Sequence, residues 1–273
     1  MGGKVPDPRW LPDAPILLYH RFDPREAGTL WTVTTDVFEA QLQRLKADSR
    51  PVVWLRSVVE ALRGAAPLPP ARSVVITADD GDSSVYTEMF PLLRRYEAPA
   101  TLFVNTFSIS RSPGTVTWEQ LDEMHRSGLV DVQFHTLSHT DFEFERKRRS
   151  RTEYESLVDF ELHYSRDWIE KRLHCTVDML AWPYGYYDRQ LEDIASRSGY
   201  TAAFSNTKRA VEDDSIYSIP RCAVFNRHRG GERFRALLDG SAAPEAALPN
   251  IAGNSGVMEA LKAKNGLPMW FTS

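Results

Sequence analysis

Short apolar runs, rich in β-branched and aromatic residues, alternate along the chain with longer stretches whose apolar positions recur at helical spacing. The runs predict strands at 16–19, 74–76, 101–104, 130–134, 179–181, 202–204 and 222–225. About seven strands separated by helices favour a parallel α/β architecture. Because the chain contains neither a Gly-x-Gly-x-x-Gly motif nor a Walker-type loop, we predict an irregular, incomplete (β/α) barrel rather than a dinucleotide-binding sheet.

The helical stretches carry local signals for their bounds. The longest predicted helix covers Leu157–Trp168, with Glu161 in its repeating stripe. Asp188 is a predicted N-cap and Gly199 a predicted C-terminal stop for the helix that follows. The basic run at 145–151 is flanked by acidic residues, so we interpret it as a solvated helix start rather than a surface for polyanions.

Two parts of the chain differ in composition. Residues 1–240 are predicted to form one α/β domain, and 241–273 a loose C-terminal extension with a short helix near Val257–Lys264. Cys175 and Cys222 are too few for a disulfide scaffold and too far apart for a Cys-x-x-Cys metal site. One disulfide and two buried free thiols both remain open, and we favour free thiols.

Composition narrows the classes of function. Of the 273 residues 42% are hydrophobic and 26% charged, which is enough apolar material for a sizeable core. The net charge of −4 argues against a nucleic-acid binder, and the absence of an apolar run of about 20 residues argues against a transmembrane segment. The segment Met1–Asp7 lacks the apolar stretch of a signal peptide, which leaves either a cytoplasmic protein or an exported one whose leader is absent.

Two adjacent carboxylates, Asp79 and Asp80, follow the predicted strand at 74–76 and precede Gly81. Enzymes built on parallel strands keep their chemistry at the carboxyl ends of those strands. Neighbouring carboxylates at such a place can divide the work, with one holding a cation and the other moving a proton. Taken alone, however, Asp-Asp-Gly is more often a turn than a site.

A histidine pair follows a second predicted strand. His135 and His139 come directly after the run at 130–134 and are four residues apart, so both rings can face one metal ion. Two hydrogen-bonded surface histidines would be the simpler interpretation if the pair stood alone. Together with the acidic pair, the histidines supply two imidazoles and one carboxylate, which is the ligand set of a catalytic zinc-type site with an open position for water.

The third motif is Trp182-Pro183-Tyr184-Gly185, which follows the predicted strand at 179–181. Proline and glycine bend the backbone and leave N–H groups outside the sheet, where one N–H can stabilise an oxyanion. Trp182 and Tyr184 are candidate platforms for a sugar ring. A turn with packed aromatic side chains is an equal alternative.

These three motifs, in this order, resemble those of the polysaccharide deacetylases, the family-four carbohydrate esterases. The resemblance extends over about 15–225 and includes the opening segment Pro15–His20. That opening segment and Ile219-Pro220-Arg221 are similar to the branch that removes N-acetyl groups from poly-β-1,6-N-acetylglucosamine, a biofilm exopolysaccharide.

The resemblance implies a distorted (β/α) barrel, which would make residues 1–240 the deacetylase domain, and metal-dependent hydrolysis of N-acetyl groups on sugars. It assigns Asp80, His135 and His139 as ligands of one divalent ion, with zinc expected and cobalt, nickel or iron as alternatives. It further implies that Asp79 is the general base and that the Tyr184 backbone N–H helps to hold the oxyanion.

The proton donor is less clear from the sequence. The resemblance matches His20 to a histidine that reaches into the active site, and His20 is our first candidate for the general acid because histidine titrates near neutral pH. His228 is the second candidate, although a surface histidine is the simpler interpretation. Many family members have an aromatic residue where Ala78 stands, and an arginine before the Trp-Pro-Tyr segment that is missing here. Arg221 is a candidate replacement, with an ordinary surface arginine as the alternative.

The sequence therefore predicts a metal-dependent N-deacetylase whose partner is a polysaccharide, most simply one of the poly-β-1,6-N-acetylglucosamine type. An amidase of the same fold that acts on a small or differently linked substrate, such as chitin or peptidoglycan, is one alternative. A non-catalytic carbohydrate-binding module is another. The resemblance favours an exported protein, periplasmic or at the cell surface, and leaves a cytoplasmic location open.

Overall fold

A computed structural model describes residues 14–163, 166–206 and 215–240. The strands are β1 Ile16–Tyr19, β2 Arg21–Asp23, β3 Thr32–Thr34, β4 Val75–Asp80, β5 Ala100–Val104, β6 Val130–Phe134, β7 Met179–Ala181, β8 Ala202–Ser205, β9 Ile219–Pro220 and β10 Cys222–Ala223. The helices are α1 Thr35–Ala47, α2 Leu55–Leu62, α3 Phe90–Tyr96, α4 Trp118–Arg126, α5 Phe142–Arg148, α6 Arg151–His163, α7 Arg166–Leu173, α8 Arg189–Arg197 and α9 Glu232–Leu238. A π-helical turn, Val85–Met89, leads into α3, and a 3₁₀ turn, Pro183–Gly185, follows β7.

Eight strands form one parallel sheet in the order β10-β1-β4-β5-β6-β7-β8-β9, and β2 pairs with β3 beside it. The terminal strands β9 and β10 have two residues each and are separated only by Arg221. Because β9 pairs with β8 while β10 pairs with β1, the segment 219–223 bridges the two edges of the sheet. The sheet is thereby nearly closed, which confirms the predicted irregular barrel.

The strands are apolar on both faces because they are covered on both faces. All five residues of β5 and the first five of β4 are buried, which explains why these strands read as continuous apolar runs rather than alternating ones. The helices cover the outside with one apolar stripe each, as Phe38, Leu42 and Leu45 do on α1.

Several local predictions are confirmed. The Asp188 carboxylate accepts a hydrogen bond from the Leu191 N–H at 2.9 Å and caps α8, and Gly199 follows that helix with φ +80°. The basic run at 145–151 is solvated and forms ion pairs with its own acidic neighbours, for example between Lys147 and Glu143. It is not a helix start, however, because most of it forms the end of α5 and only Arg151 begins α6. Cys175 and Cys222 are free thiols, each partly buried.

One helix prediction crosses a gap in the described residues. The predicted helix over Leu157–Trp168 is helical up to His163 in α6 and again from Arg166 in α7, and the two positions between them lie outside the described residues. The C-terminal extension at 241–273 lies outside the described residues, so its predicted helix stays a prediction. Within the described ranges, none of the helices has the length and apolar character needed to cross a membrane.

Candidate active site

The predicted site residues meet at one end of the barrel, because most of them lie at or after the carboxyl end of a strand. Arg221 lies between the last two strands, β9 and β10. His20 follows β1, Asp79 and Asp80 end β4, and His135 follows β6. Tyr184 lies in the turn after β7. The two motifs that the sequence placed after separate strands are therefore joined in space, as the parallel architecture requires.

Asp80, His135 and His139 form a compact group that fits one metal ion. Asp80 Oδ1 lies 3.4 Å from His135 Nε2 and 3.3 Å from His139 Nε2. Ligand atoms about 2.1 Å from a tetrahedral ion are roughly 3.4 Å from one another, so the observed spacing suits such an ion. Asp80 Oδ1 is buried and accepts no hydrogen bond within the described part of the chain, which is the expected state of a ligand atom that faces a cation.

Both imidazoles present Nε2 to Asp80. His135 Nδ1 donates to the Ala181 carbonyl at 2.8 Å, so its proton is on Nδ1 and Nε2 is left to face Asp80. Burial lowers the pKa of His139 to about 4, which keeps that ring neutral at neutral pH. Burial alone would also lower the pKa of His135, but the charges of Asp79 and Asp80 raise it overall.

The backbone at the metal group adopts left-handed conformations that side chains disfavour. The φ angles are +72° at Asp80, +64° at Thr136 and +58° at His139. Specific hydrogen bonds stabilise these turns, since Asn105 Nδ2 donates to the Asp80 carbonyl at 3.2 Å and His139 N–H donates to Thr136 Oγ1 at 3.1 Å. Strain of this kind persists only where the surroundings determine the conformation, and it is concentrated at functional sites.

Asp79 forms a two-point ion pair with Arg221. Arg221 Nη1 donates to Asp79 Oδ1 at 2.7 Å and Nη2 donates to Oδ2 at 2.6 Å, and the two residues are each 2% exposed. Burial would raise the pKa of Asp79, but the Arg221 guanidinium and the neighbouring imidazoles lower it overall. Of the two interpretations of Arg221, the surface arginine is therefore wrong, and Arg221 lies beside the carboxylate of the site.

The turn after β7 is built around glycine. Tyr184 has φ +57° and Gly185 φ +69°, and a Cβ on Gly185 would lie 1.7 Å from Asn206 Oδ1. The Tyr184 ring packs edge-on against the His139 ring, with centroids 4.6 Å apart. This packing places Tyr184 beside the metal group.

Trp182 is not a sugar platform, and that prediction is wrong. Its side chain is only 1% exposed and its Nε1 donates to the Tyr217 carbonyl at 2.8 Å. Phe142 packs edge-on against the indole with a centroid separation of 6.2 Å. The indole is core material beneath the turn, so it cannot contact a polymer.

The histidines outside the metal group differ in their surroundings. His20 packs against Trp31 with ring centroids 4.3 Å apart, and its buried Nδ1 has no hydrogen-bond partner in the described ranges. Burial lowers the pKa of His20, partly offset by the charges of Asp80 and Asp79, which shows that the ring lies within their field. His228 is buried rather than at the surface, and its Nδ1 accepts the Phe225 N–H at 3.0 Å. Its Nδ1 is thus engaged with the turn at Phe225, and its role as the second candidate donor stays a prediction.

Sequence reasoning missed three supporting residues. Asn105 directly follows β5, so the rule that strand ends carry the chemistry could have identified it. Trp31 gave no such signal, because it precedes a three-residue strand, β3, that was not predicted. Glu161 was assigned only to a helix, although its carboxylate accepts hydrogen bonds from the loop that carries His139.

Comparisons with known proteins agree with this geometry. Residues 67–203 match the family model described as polysaccharide deacetylase. The chain is 29% identical over 201 residues to a poly-β-1,6-N-acetyl-D-glucosamine N-deacetylase of Staphylococcus epidermidis. The matched region covers 72% of this chain and 69% of that protein. A protein of the same name from Staphylococcus aureus is 25% identical over 199 residues, covering 71% and 68%.

Solved structures show the same fold. The Streptococcus pyogenes deacetylase PplD in complex with acetate superimposes with a TM-score of 0.71 and 26% identity, over 82% of this chain and 97% of that one. IcaB from Ammonifex degensii superimposes with a TM-score of 0.69 and 23% identity, over 84% and 97%.

Proposed function

Because the chain belongs to the polysaccharide deacetylase family, we propose that it hydrolyses N-acetyl groups on a polysaccharide and that poly-β-1,6-N-acetylglucosamine is its substrate. The observation that carries the proposal is the carboxylate of Asp79, paired with Arg221 and 3.8 Å from His135 Nε2 in the metal group. A base fixed beside a metal group is an arrangement for hydrolysis, whereas a binding module has no use for it. The choice of polymer is supported by the names of the Staphylococcus relatives.

Asp80, His135 and His139 are the proposed ligands of one divalent ion. When bound, the ion supplies Lewis acidity, which polarises the acetyl carbonyl and acidifies a water molecule. Two nitrogens and one carboxylate oxygen suit zinc, with cobalt, nickel and iron as alternatives. The His135 hydrogen bond to Ala181 supports this role, since it fixes the ring orientation before any ion binds.

Asp79 is the proposed general base. The lowered pKa keeps its carboxylate ionised at neutral pH, so it is ready to take a proton from the attacking water. Arg221 aligns both carboxylate oxygens from the far side, which leaves the base little rotational freedom. The oxygen of the deprotonated water then attacks the acetyl carbonyl carbon. The carbonyl oxygen becomes the oxyanion of a tetrahedral intermediate.

The Tyr184 backbone N–H and His20 complete the proposed reaction. The left-handed turn at Tyr184 supports a role for its N–H in hydrogen bonding to the oxyanion. The intermediate collapses when the amide nitrogen receives a proton, which releases acetate and a free amine. His20 is the proposed donor, because it follows β1 at the same end of the barrel and lies within the field of the Asp79 and Asp80 carboxylates.

The test is acetate release from β-1,6-linked and β-1,4-linked N-acetylglucosamine oligomers. The assays use metal-stripped protein reloaded separately with zinc, cobalt, nickel or iron. We expect the β-1,6-linked oligomers to be the better substrates and a chelator to abolish release. Preference for the β-1,4 linkage would assign a chitin-like or peptidoglycan-like substrate. Release of acetate only from small amides would favour an amidase of the same fold. No release from any substrate would favour a non-catalytic carbohydrate-binding module.

Asp79→Asn separates the two carboxylates within the same assay. The variant is expected to lose turnover by about a thousandfold, in the range of general-base catalysis, while retaining the metal. Asp80→Asn is the matched variant and should lose both turnover and metal. Full turnover in Asp79→Asn would rule out Asp79 as the base.

The expected export to the periplasm or cell surface stays a prediction.

A further inference from the structure

A fully buried carboxylate lies behind the metal group. Glu161, in α6, is 0% exposed, and in the described parts of the chain no cationic side chain forms an ion pair with it. A buried charge without a cation is costly unless several hydrogen bonds satisfy it. A buried carboxylate of this kind therefore calls for specific hydrogen-bond partners.

The partner of Glu161 is the loop between β6 and α5. Glu161 Oε2 accepts from the Ser138 N–H at 3.0 Å, and Oε1 accepts from Ser138 Oγ at 2.6 Å and Thr140 Oγ1 at 2.9 Å. The Glu161 backbone carbonyl accepts from the Leu137 N–H at 3.2 Å. One residue of α6 is thus bonded to the loop on both sides of His139.

Other contacts reach the loop from the side of the sheet, since the Phe107 N–H donates to the Leu137 carbonyl at 2.9 Å and the rings of His135 and Tyr184 pack on the His139 ring. His139 nevertheless adopts φ +58°, which an ordinary side chain disfavours, and its side chain is 24% exposed. Its own N–H bonds to Thr136, which itself adopts φ +64°. The hydrogen bonds that the Glu161 carboxylate accepts tie the loop to helix α6.

We propose that Glu161 is a positioning residue for the metal centre, which holds the Ser138–Thr140 backbone so that the His139 imidazole meets Asp80 and His135. This inference rests on the proposed function of the same site. Glu161 touches neither the reacting atoms nor the ion and acts through the loop. Its loss should weaken metal binding before it affects any chemical step.

The test is a titration of metal-free protein with Co²⁺, followed by its visible absorption, and competition of Zn²⁺ against a chelator. Glu161→Leu fills similar space without acceptors, and we expect its affinity for the ion to fall about 10-fold to 100-fold, as for other groups that orient ligands. Glu161→Gln retains one acceptor oxygen, and its amide N–H groups can donate to the two hydroxyls. This variant should therefore recover most of the affinity. If Glu161→Leu does not fold, Thr140→Val removes one bond from the loop side and should produce a smaller loss.

Ile169→Ala is the control for general loss of stability. Ile169 is 0% exposed in α7, and its truncation leaves a cavity in the core without removing any of the hydrogen bonds to the Ser138–Thr140 loop. An affinity loss in Ile169→Ala equal to that in Glu161→Leu would overturn the proposal, and so would unchanged affinity in Glu161→Leu.

The metal titration also separates the positioning role of Glu161 from the proposed deacetylase function. A wild-type protein that binds Co²⁺ tightly but releases no acetate would refute the deacetylase function. The weaker binding of Glu161→Leu would still support the positioning role in that case.

Discussion

Asp79 and Arg221 are 142 residues apart in the chain, yet their side chains make two parallel hydrogen bonds in the interior of the barrel. The fork of the guanidinium matches the two carboxylate oxygens, a geometry that lysine cannot reproduce. Arg221 also donates hydrogen bonds to the Ser205 carbonyl and to Thr77 Oγ1, each at 3.3 Å. These bonds hold the guanidinium independently of Asp79.

Replacement of Arg221 should affect both stability and catalysis. Arg221→Met leaves Asp79 buried without its partner, and we expect the free energy of unfolding to fall by about 3–5 kcal/mol. Arg221→Lys keeps the charge but loses the two-point contact, so its acetate release should lie between wild type and Arg221→Met. Urea denaturation and acetate assays measure the two effects. Arg235→Lys is the control because Arg235 pairs with Asp48 at the surface, where such pairs contribute about 0–1 kcal/mol.

The same pair predicts a pH dependence of stability in metal-free protein. The pKa of Asp79 is lowered below its ordinary value of 3.8 in the folded state, so the folded carboxylate resists protonation more than the unfolded one does. Its stabilising contribution is therefore complete above that ordinary value and is lost as the pH falls toward the folded pKa. The difference in unfolding free energy between wild type and Arg221→Met should be largest at neutral pH and shrink below about pH 4. A difference that stays constant from pH 7 to pH 3 would contradict the assignment.

Trp182 should matter for folding and not for substrate affinity. Trp182→Phe removes the hydrogen bond to the Tyr217 carbonyl and leaves that oxygen unsatisfied, which should cost about 1–3 kcal/mol of stability. KM for glycan oligomers should stay at the wild-type value, as measured from initial rates well below the melting temperature. A large rise in KM without a loss of stability would instead restore the sugar platform.

Gly185 should be irreplaceable for two separable reasons. Gly185→Ala introduces a left-handed alanine and also drives its Cβ into Asn206, which should displace the neighbouring Tyr184. Gly64→Ala has a similar φ of +71° but meets nothing within 4 Å, so it measures the backbone cost alone, about 1–2 kcal/mol. We expect Gly64→Ala to retain acetate release and Gly185→Ala to lose most of it. Equal activity in the two variants would argue against a role for this turn in the reaction.

Much of the site could be predicted because its signal is local and its geometry follows from parallel strands. Asp79, Asp80 and His135 stand at strand ends that the apolar pattern identifies, and parallel strands bring those ends to one edge. Trp182 could not be assigned in the same way, because an aromatic residue beside Pro183 and Gly185 has the same sequence signature whether it faces inward or outward. Its burial depends on Phe142, which reaches it from a separate helix.

The supporting contacts could not be predicted because they join distant segments through single side chains. The resemblance marked Arg221 as a candidate, but its pairing with Asp79 has no local signal, because Arg221 lies between two strands of only two residues each. Glu161 occupies a helical position like many others, and only the position of α6 behind the β6–α5 loop gives its carboxylate a role.

The closing segment of the barrel has a consequence for how the site is completed during folding. Every proposed metal ligand and the proposed base lie before residue 140, but Arg221 arrives only with the last pair of strands. A nascent chain that has already assembled its first strands holds Asp79 without its cation, and the carboxylate gains that partner only when β9 and β10 join β8 to β1. Hydrolytic competence is in this sense a report of finished folding, since a partly assembled barrel lacks the guanidinium that fixes both oxygens of its base.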